Sequence, residues 1–437
     1  MSTYKPRVPR LTGGIVLGMI GAIALSSCGT GATAEDENTG GESVSWGSSS
    51  DEFAAALDEM EPIELTYSSW TSPQSNQSLR DQFFKDYVEE YSDGKITVDI
   101  TWAAAAGDFE NMNTQVSSGI VDMGMFGPYY HPEEFPVSGL VAPVVLTPAM
   151  GGNPVGDYLT AQASSLSFAF EEPAYLEELE DGTGLKVLWG SELSYPQALV
   201  CSGTSGNNLD EITGRQVGVN TTPQGNEVSA LGATPVSIAR DEIYSSLQRG
   251  AMDCHVGSPG MHMSLGTFEI VDNWIIDPEA AWAATSNAMV ISDDFWSQLP
   301  LAAQQVIFDG ALRAAVEAGY AQWEDWYEAV ETAAGHGVEI TEFDQDMRSA
   351  LIEAQQTDID LVRSGDVAGG LLTDPNATAD LAQNLVDDWN ATISDLGYDM
   401  ETGWGEDFVA QEAHLEIDLD PYLEALYTET FADHRPQ

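Results

Sequence analysis

Leu231–Cys254 reads LGATPVSIARDEIYSSLQRGAMDC, and this stretch decides the fold. Thr234 to Ile238 (TPVSI) is a strand, Asp241 to Arg249 a helix, and Ala251 to Gly257 (AMDCHVG) the next strand. Upstream, QVGVN ending at Asn220 supplies another strand and Glu227 to Leu231 a short helix, so the segment is a β-α-β-α-β series. The same order occurs earlier. IELTYSSW from Ile63, a helix over Ser78–Tyr91, ITVDITW, a helix over Phe109–Ser118 and IVDMGMF form the first series. The two series share a signature, because helix then Ser118-Gly119-Ile120-Val121-Asp122-Met123 matches helix then Arg249-Gly250-Ala251-Met252-Asp253-Cys254. Parallel strands with right-handed crossovers follow. Two similar α/β lobes place a cleft at the carboxyl ends of their strands, where α/β folds bind ligands.

Outward from these series, LKVLWG and QALVCSG carry the chain into the second lobe, and SNAMVIS (Ser286–Ser292) is an extended segment suited to bring it back. Leu301 to about Ala334 is Ala-rich and helix-favouring, and at 1.5 Å per residue it reaches about 50 Å, enough to brace both lobes. Further helices are expected over Gln345–Arg363 and Thr378–Leu396. The expected organisation is a leader over 1–27, a flexible acidic tether over 28–60, lobe 1 over 61–190, lobe 2 over 191–283, a return to lobe 1 with bracing helices over 284–398, and an acidic extension over 399–437.

The leader has a basic start (Lys5, Arg7, Arg10) and an apolar run from Gly14 to Leu25, too short to span a bilayer. It ends in Leu25-Ser26-Ser27-Cys28, a lipoprotein cleavage box, so Cys28 is expected to carry lipid and to anchor the chain at the outer face of the cytoplasmic membrane. An ordinary secretory signal with an incidental Cys28 is the competing reading. The formal charge of -57, from 71 acids and 14 bases, excludes nucleic acid as a partner. Acid spread along the whole chain reads as an adaptation to a saline medium, where salt screens the repulsion. Cys201 and Cys254 remain as a disulfide pair in an oxidising compartment or as two buried thiols.

With these elements in place, FFKDYVEEYSDGKITVDITW, SSGIVDMGMFGPYY, LDEITGRQVGVN and above all LGATPVSIARDEIYSSLQRGAMDC resemble the solute-binding receptors of tripartite ATP-independent periplasmic (TRAP) transporters, of the dicarboxylate-receptor type, over about Ile63 to Val338. The resemblance implies a two-lobe, periplasmic-binding-protein type II-like α/β fold that closes over a small solute and hands it to a permease pair. It also implies a carboxylate ligand held by an arginine on the first strand of the second lobe. Here that position is Gly218 within Gly214-Arg215-Gln216-Val217-Gly218-Val219, and Arg215, three residues earlier, points to the other face of the strand. Ser194 to Ser202 holds no cation either. The expected solute is therefore small and polar, and not a simple dicarboxylate.

Residues just beyond strand ends are the ligand candidates: Ser69, Trp70, Trp102, Phe126 and Tyr129 in lobe 1, and Asn220, Thr221 and His255 in lobe 2. The aromatics suit stacking, with core packing as the competing role. Asn220 and His255 are polar groups that need partners in a closing cleft. Asp122 and Asp253 are expected to brace backbone. Met252, Cys254, His255, Met261, His262 and Met263 are soft donors, but without a repeated spacing and with Cys254 claimed by a disulfide they define no metal site, and no cofactor is expected. Hydrolase and nucleotide motifs are absent, and the acid pairs Asp293-Asp294 and Asp344/Asp346 are expected on solvated faces rather than in a secreted glycosidase. A binding lipoprotein of an ATP-driven importer or a signalling receptor is the nearest alternative to a TRAP receptor.

Overall fold

The computed structural model describes residues 43–106, 109–146, 153–194, 196–367, 370–399 and 417–437. The leader and Cys28 lie outside the described residues. Strands β1 (Ile63–Ser68), β2 (Ile96–Thr101), β3 (Met123–Phe126) and β4 (Leu185–Ser194) enter a first sheet. Strands β5 (Ala198–Cys201), β6 (Gln216–Val219), β7 (Thr234–Ser237), β8 (Cys254–Gly257) and β9 (Asn273–Ile275) enter a second, β10 (Thr285–Ser292) returns to the first, and β11 (Glu339–Thr341) joins the second. The orders are β2-β1-β3-β10-β4 and β11-β9-β5-β8-β6-β7.

Within each sheet one strand pairs in parallel on both sides, β1 with β2 and β3, and β6 with β7 and β8. The repeated aspartates explain part of this likeness. Asp122 Oδ2 accepts from the Thr66 backbone N–H at 2.7 Å and Asp253 Oδ2 from that of Gln216 at 2.8 Å, so each carboxylate fixes the first strand of its own β-α-β-α-β series beside the third. SNAMVIS forms most of β10, which lies antiparallel between β3 and β4. The chain enters the second sheet once more than expected, because β11 after the long helix pairs in parallel with β9.

The long helix runs over Leu301–His336, 36 residues or about 54 Å, and ends at Gly337, whose φ of +75° turns the chain. It packs closely on helix Ser78–Tyr91, where a Cβ at Gly310 would stand 2.9 Å from Tyr87 Cδ1 and 3.1 Å from Val88 Cγ2. Further along, Asp325 accepts hydrogen bonds from Asn76 Nδ2 at 3.1 Å and Gln77 Nε2 at 3.0 Å, and lies against Gly260 at the start of helix Pro259–Leu265. One carboxyl thus touches elements that follow β1 and elements that follow β8. Burial pushes it up to about 6, against the two amide hydrogen bonds and with help from Glu328 and Glu324. A folded pKa above the unfolded one gives a contribution present at pH 4 and lost as pH rises through about 6. Asp325→Asn should therefore gain on the parent by on the order of 2 kcal/mol between pH 4 and 7 in urea unfolding, with a flat difference above that.

Segments near both ends of the sequence pack on the long helix. The tether expected over 28–60 is folded from Val44 onward: helix Ser50–Ala56 buries Phe53 and is followed by the buried Leu57, because a few apolar residues in the polar run find the long helix and its neighbours. Trp46 stacks on Tyr427 at 4.0 Å. The C-terminal segment is anchored as well, with Tyr422, Leu426 and Phe431 fully buried. Arg435 meets Asp309 of the long helix through both Nε (2.7 Å) and Nη2 (2.8 Å) and donates from Nη1 to the Val44 carbonyl at 2.7 Å. Among the described residues no helix is long and apolar enough to cross a membrane.

Candidate ligand-binding cleft

A cleft of about 490 Å³ opens where loops from both sheets meet the long helix. Trp70 follows β1, Phe109 follows β2, and Tyr129 and Tyr130 follow β3, so each parallel strand of the first sheet delivers an aromatic to one wall. Trp70 and Phe109 centroids are 5.7 Å apart, Phe109 and Tyr130 6.0 Å, and Tyr129 and Tyr130 4.5 Å. The second sheet contributes Arg240 after β7 and Ser258 and Met261 after β8, while the long helix supplies Ala318, Ala321 and Gln322.

Two arginines line this space and they differ in charge balance. Arg80 is buried and already neutralised, its Nε 3.0 Å from Asp81 and its Nη1 3.2 Å from Glu192. Burial opposes its charge, yet the two carboxylates outweigh that and hold the guanidinium pKa above its usual value. Arg240 has no carboxylate within ion-pair distance among the described residues. Its Nη2 donates to Ser264 Oγ at 2.7 Å and the guanidinium carbon lies 5.4 Å from the Trp70 ring centroid. Nε and Nη1 have no hydrogen-bond acceptor among the described residues. Burial lowers its pKa, with the Tyr130 and Tyr129 hydroxyls opposing the shift. A partly desolvated guanidinium with free donors is a site prepared for an anion.

The candidates read from the sequence divide sharply. Trp70 and Tyr129 line the cleft. Ser69 does not, because its hydroxyl is turned onto Asp81 at 2.5 Å. Trp102 borders a separate surface depression with Lys85, Asp86 and Asp99. Phe126 is fully buried against Phe135 at 5.6 Å. Asn220 donates from Nδ2 to the Val256 carbonyl at 2.8 Å, and Thr221 caps helix Thr222–Ala230 through the Gln224 N–H at 3.3 Å. His255 is fully buried behind the wall, its ring 5.4 Å from that of His262. Burial, then Arg240, lowers the His255 pKa to about 3, so it is neutral at ordinary pH. A Cβ on Gly218 would collide with Met252 Sδ and His255 Cδ2, so these side chains fill the space beside this strand position. The sulfurs of Cys201 and Cys254 are bonded across β5 and β8, with Cα atoms 4.1 Å apart. Asp344, of the Asp344/Asp346 pair, caps helix Gln345–Ser364 through the Met347 N–H at 2.8 Å.

The sequence pattern of the bacterial extracellular solute-binding proteins of family 7 matches residues 67–364, more than half of the chain. The chain belongs to this family. This family 7 receptor is an extracellular solute-binding protein, as its strand and helix motifs lead one to expect. No curated protein matches the sequence significantly. Among solved structures it is similar to a TRAP solute-binding protein of Rhodoferax ferrireducens in complex with copurified benzoate (17% identity, 76% of this chain and 99% of that one, TM-score 0.64). A marine metagenome TRAP solute-binding protein with 3-hydroxybenzoate (18%, 75% and 99%, TM-score 0.63) is also similar. A third is the sugar acid binding protein of Advenella mimigardefordensis with galactonate (16%, 75% and 100%, TM-score 0.61). At these identities the likeness carries the fold, a periplasmic-binding-protein type II-like α/β architecture.

Gly218 and the Ser194–Ser202 stretch lack a cation, but the cleft does not, since Arg240 arrives from the β7 loop. The signal is legible in the sequence: the carboxyl end of β7 leads through Ile238 and Ala239 to Arg240, as the ends of β6 and β8 lead to Asn220 and Ser258. Phe109 and Tyr130 are likewise strand-end aromatics that the sequence reading passed over. Arg80 and Glu192 had no such signal, because one sits on a helix and the other inside β4.

Proposed function

We propose that this receptor captures a small organic acid, seats its carboxylate on Arg240, and delivers it to a TRAP-type secondary transporter while tethered outside the membrane through acylated Cys28. The single observation carrying the ligand reading is a guanidinium in the cleft wall with two nitrogens unbonded and no carboxylate paired to it among the described residues. Leaving such a cation desolvated is unfavourable, and a carboxylate converts that penalty into charge-assisted hydrogen bonds. Benzoate, 3-hydroxybenzoate and galactonate, each bound to a structural neighbour, are all organic acids. One free guanidinium suits one carboxylate, in keeping with the expectation that the solute is not a simple dicarboxylate.

Calorimetric titration of small carboxylates against their amides tests this. Acids should bind and amides should not, and Arg240→Gln should weaken the best acid by about 2–3 kcal/mol, roughly 30- to 150-fold. Equal affinity for acid and amide, or an unaffected Arg240→Gln receptor, would overturn the assignment.

A further inference from the structure

We infer that the solute is an aromatic monocarboxylate, its ring packed on the wall of Trp70, Phe109, Tyr129 and Tyr130 and its one acid group on Arg240. This rests on the receptor reading above and narrows it. Three features of the cleft argue for it independently of any relative.

The first is the wall. Phe109 and Tyr130 stand nearly perpendicular, at 84°, and Trp70 is tilted 56° to Phe109, so the surface offers both ring faces and ring edges. A planar aromatic can satisfy both by offset stacking and edge contacts. The surroundings continue apolar through Met125, Leu193, Met261, Leu265, Ala318 and Ala321. A sugar acid carries a hydroxyl on nearly every carbon and needs a polar partner for each when enclosed. Several lining polar groups are already committed: Gln77 to Asp325, Ser258 to the Met261 N–H, and Glu192 to Arg80.

The second is the charge count. Arg240 is the lining cation without a carboxylate, whereas Arg80 already faces two. A second ligand carboxylate would meet Glu192 in the wall and Glu110 and Asp241 at the rim. Like charges at close quarters discriminate strongly against it. The third concerns cations: an aromatic cluster can box an ammonium, but here the Arg240 guanidinium already lies over Trp70 and would repel one. An acid group therefore meets the exposed edge of a guanidinium whose face is held by an indole. That geometry directs the rest of the ligand along the aromatic wall.

The test is calorimetry on the mature chain with five probes: phenylacetate, benzoate, cyclohexanecarboxylate, isophthalate and gluconate. The better of the two aromatic monoacids should bind at least about tenfold more tightly than each of the other three, in line with the energies of aromatic contacts. Phe109→Leu, which keeps an apolar side chain, should erase most of the preference over cyclohexanecarboxylate while leaving the gluconate result unchanged. If gluconate or isophthalate binds best and loses affinity in Arg240→Gln, the aromatic inference falls and the organic-acid receptor stands. If no carboxylate binds, both fall.

Discussion

Arg435→Met is expected to lower the unfolding free energy by about 3–5 kcal/mol, a large effect for a residue two positions from the last one in the sequence. The reason is its partner. Asp309 is about 1% exposed in the third turn of the long helix, and burial raises its pKa even with Arg435 in place. Removing the guanidinium leaves a carboxylate that must be desolvated alone or protonated. A group with a raised folded pKa contributes stability at acid pH that is lost as pH rises, so the deficit should be larger at pH 7 than at pH 5. Pairing the change with Asp309→Leu should recover most of the loss, since apolar replacement of a buried ion pair is often neutral. Urea midpoints of the parent and the two variants at both pH values decide it. A loss under about 1 kcal/mol for Arg435→Met would place the pair in the class of surface ion pairs and remove the argument.

The same pair shows why the ends of the chain were hard to read. In the sequence, Val44, Trp46 and Phe53 are isolated apolar residues in a run of Gly, Ser and acid, and local composition alone reads as a tether. They fold because Gln305 accepts from the Val44 N–H at 2.8 Å, Arg435 takes its carbonyl, and Tyr427 stacks on Trp46. Those partners lie some 260 to 390 positions away, beyond any periodicity argument. The sheets were legible for the opposite reason. Each β-α-β unit is local, and the Asp122 and Asp253 motifs repeat because the same bond to the first strand is made twice.

The cleft was legible in part. The rule that ligands gather beyond strand carboxyl ends found Trp70 and Tyr129 and, with every strand treated alike, also reaches Phe109, Tyr130 and Arg240. It failed where a strand-end polar group has a structural task. Asn220 and Thr221 secure the turn into helix Thr222–Ala230, and Ser69 holds Asp81, tasks that one-dimensional spacing does not distinguish from ligand contact. His255 illustrates another limit. Its register opposite Val200 in β5 and beside Gly218 in β6 buries it behind the wall, and only pairing reveals that.

Replacing both Cys201 and Cys254 by alanine is expected to cost about 4 kcal/mol of stability while changing solute affinity less than about threefold. The two cysteines are register partners across β5 and β8, are fully buried, and close a loop with a sequence separation of 53. In the chain-entropy account, a bridge over a loop of that length acts by restricting the unfolded chain. The loop contains β6, β7 and Arg240, so the bridge constrains the segment that carries the ligand cation. Its native position is also fixed by the β6–β7 and β6–β8 ladders and by the Ser264 hydrogen bond to Arg240, none of which needs the sulfurs. Stability and binding should therefore separate. The parent protein unfolded in the presence of reductant should show the same loss as the double variant, with a small further deficit in the variant from the truncated side chains. Calorimetry well below the melting range measures the affinity. Should affinity collapse together with stability, the bridge would be holding the Arg240 loop in its native place, and the ladders alone would be insufficient to do so.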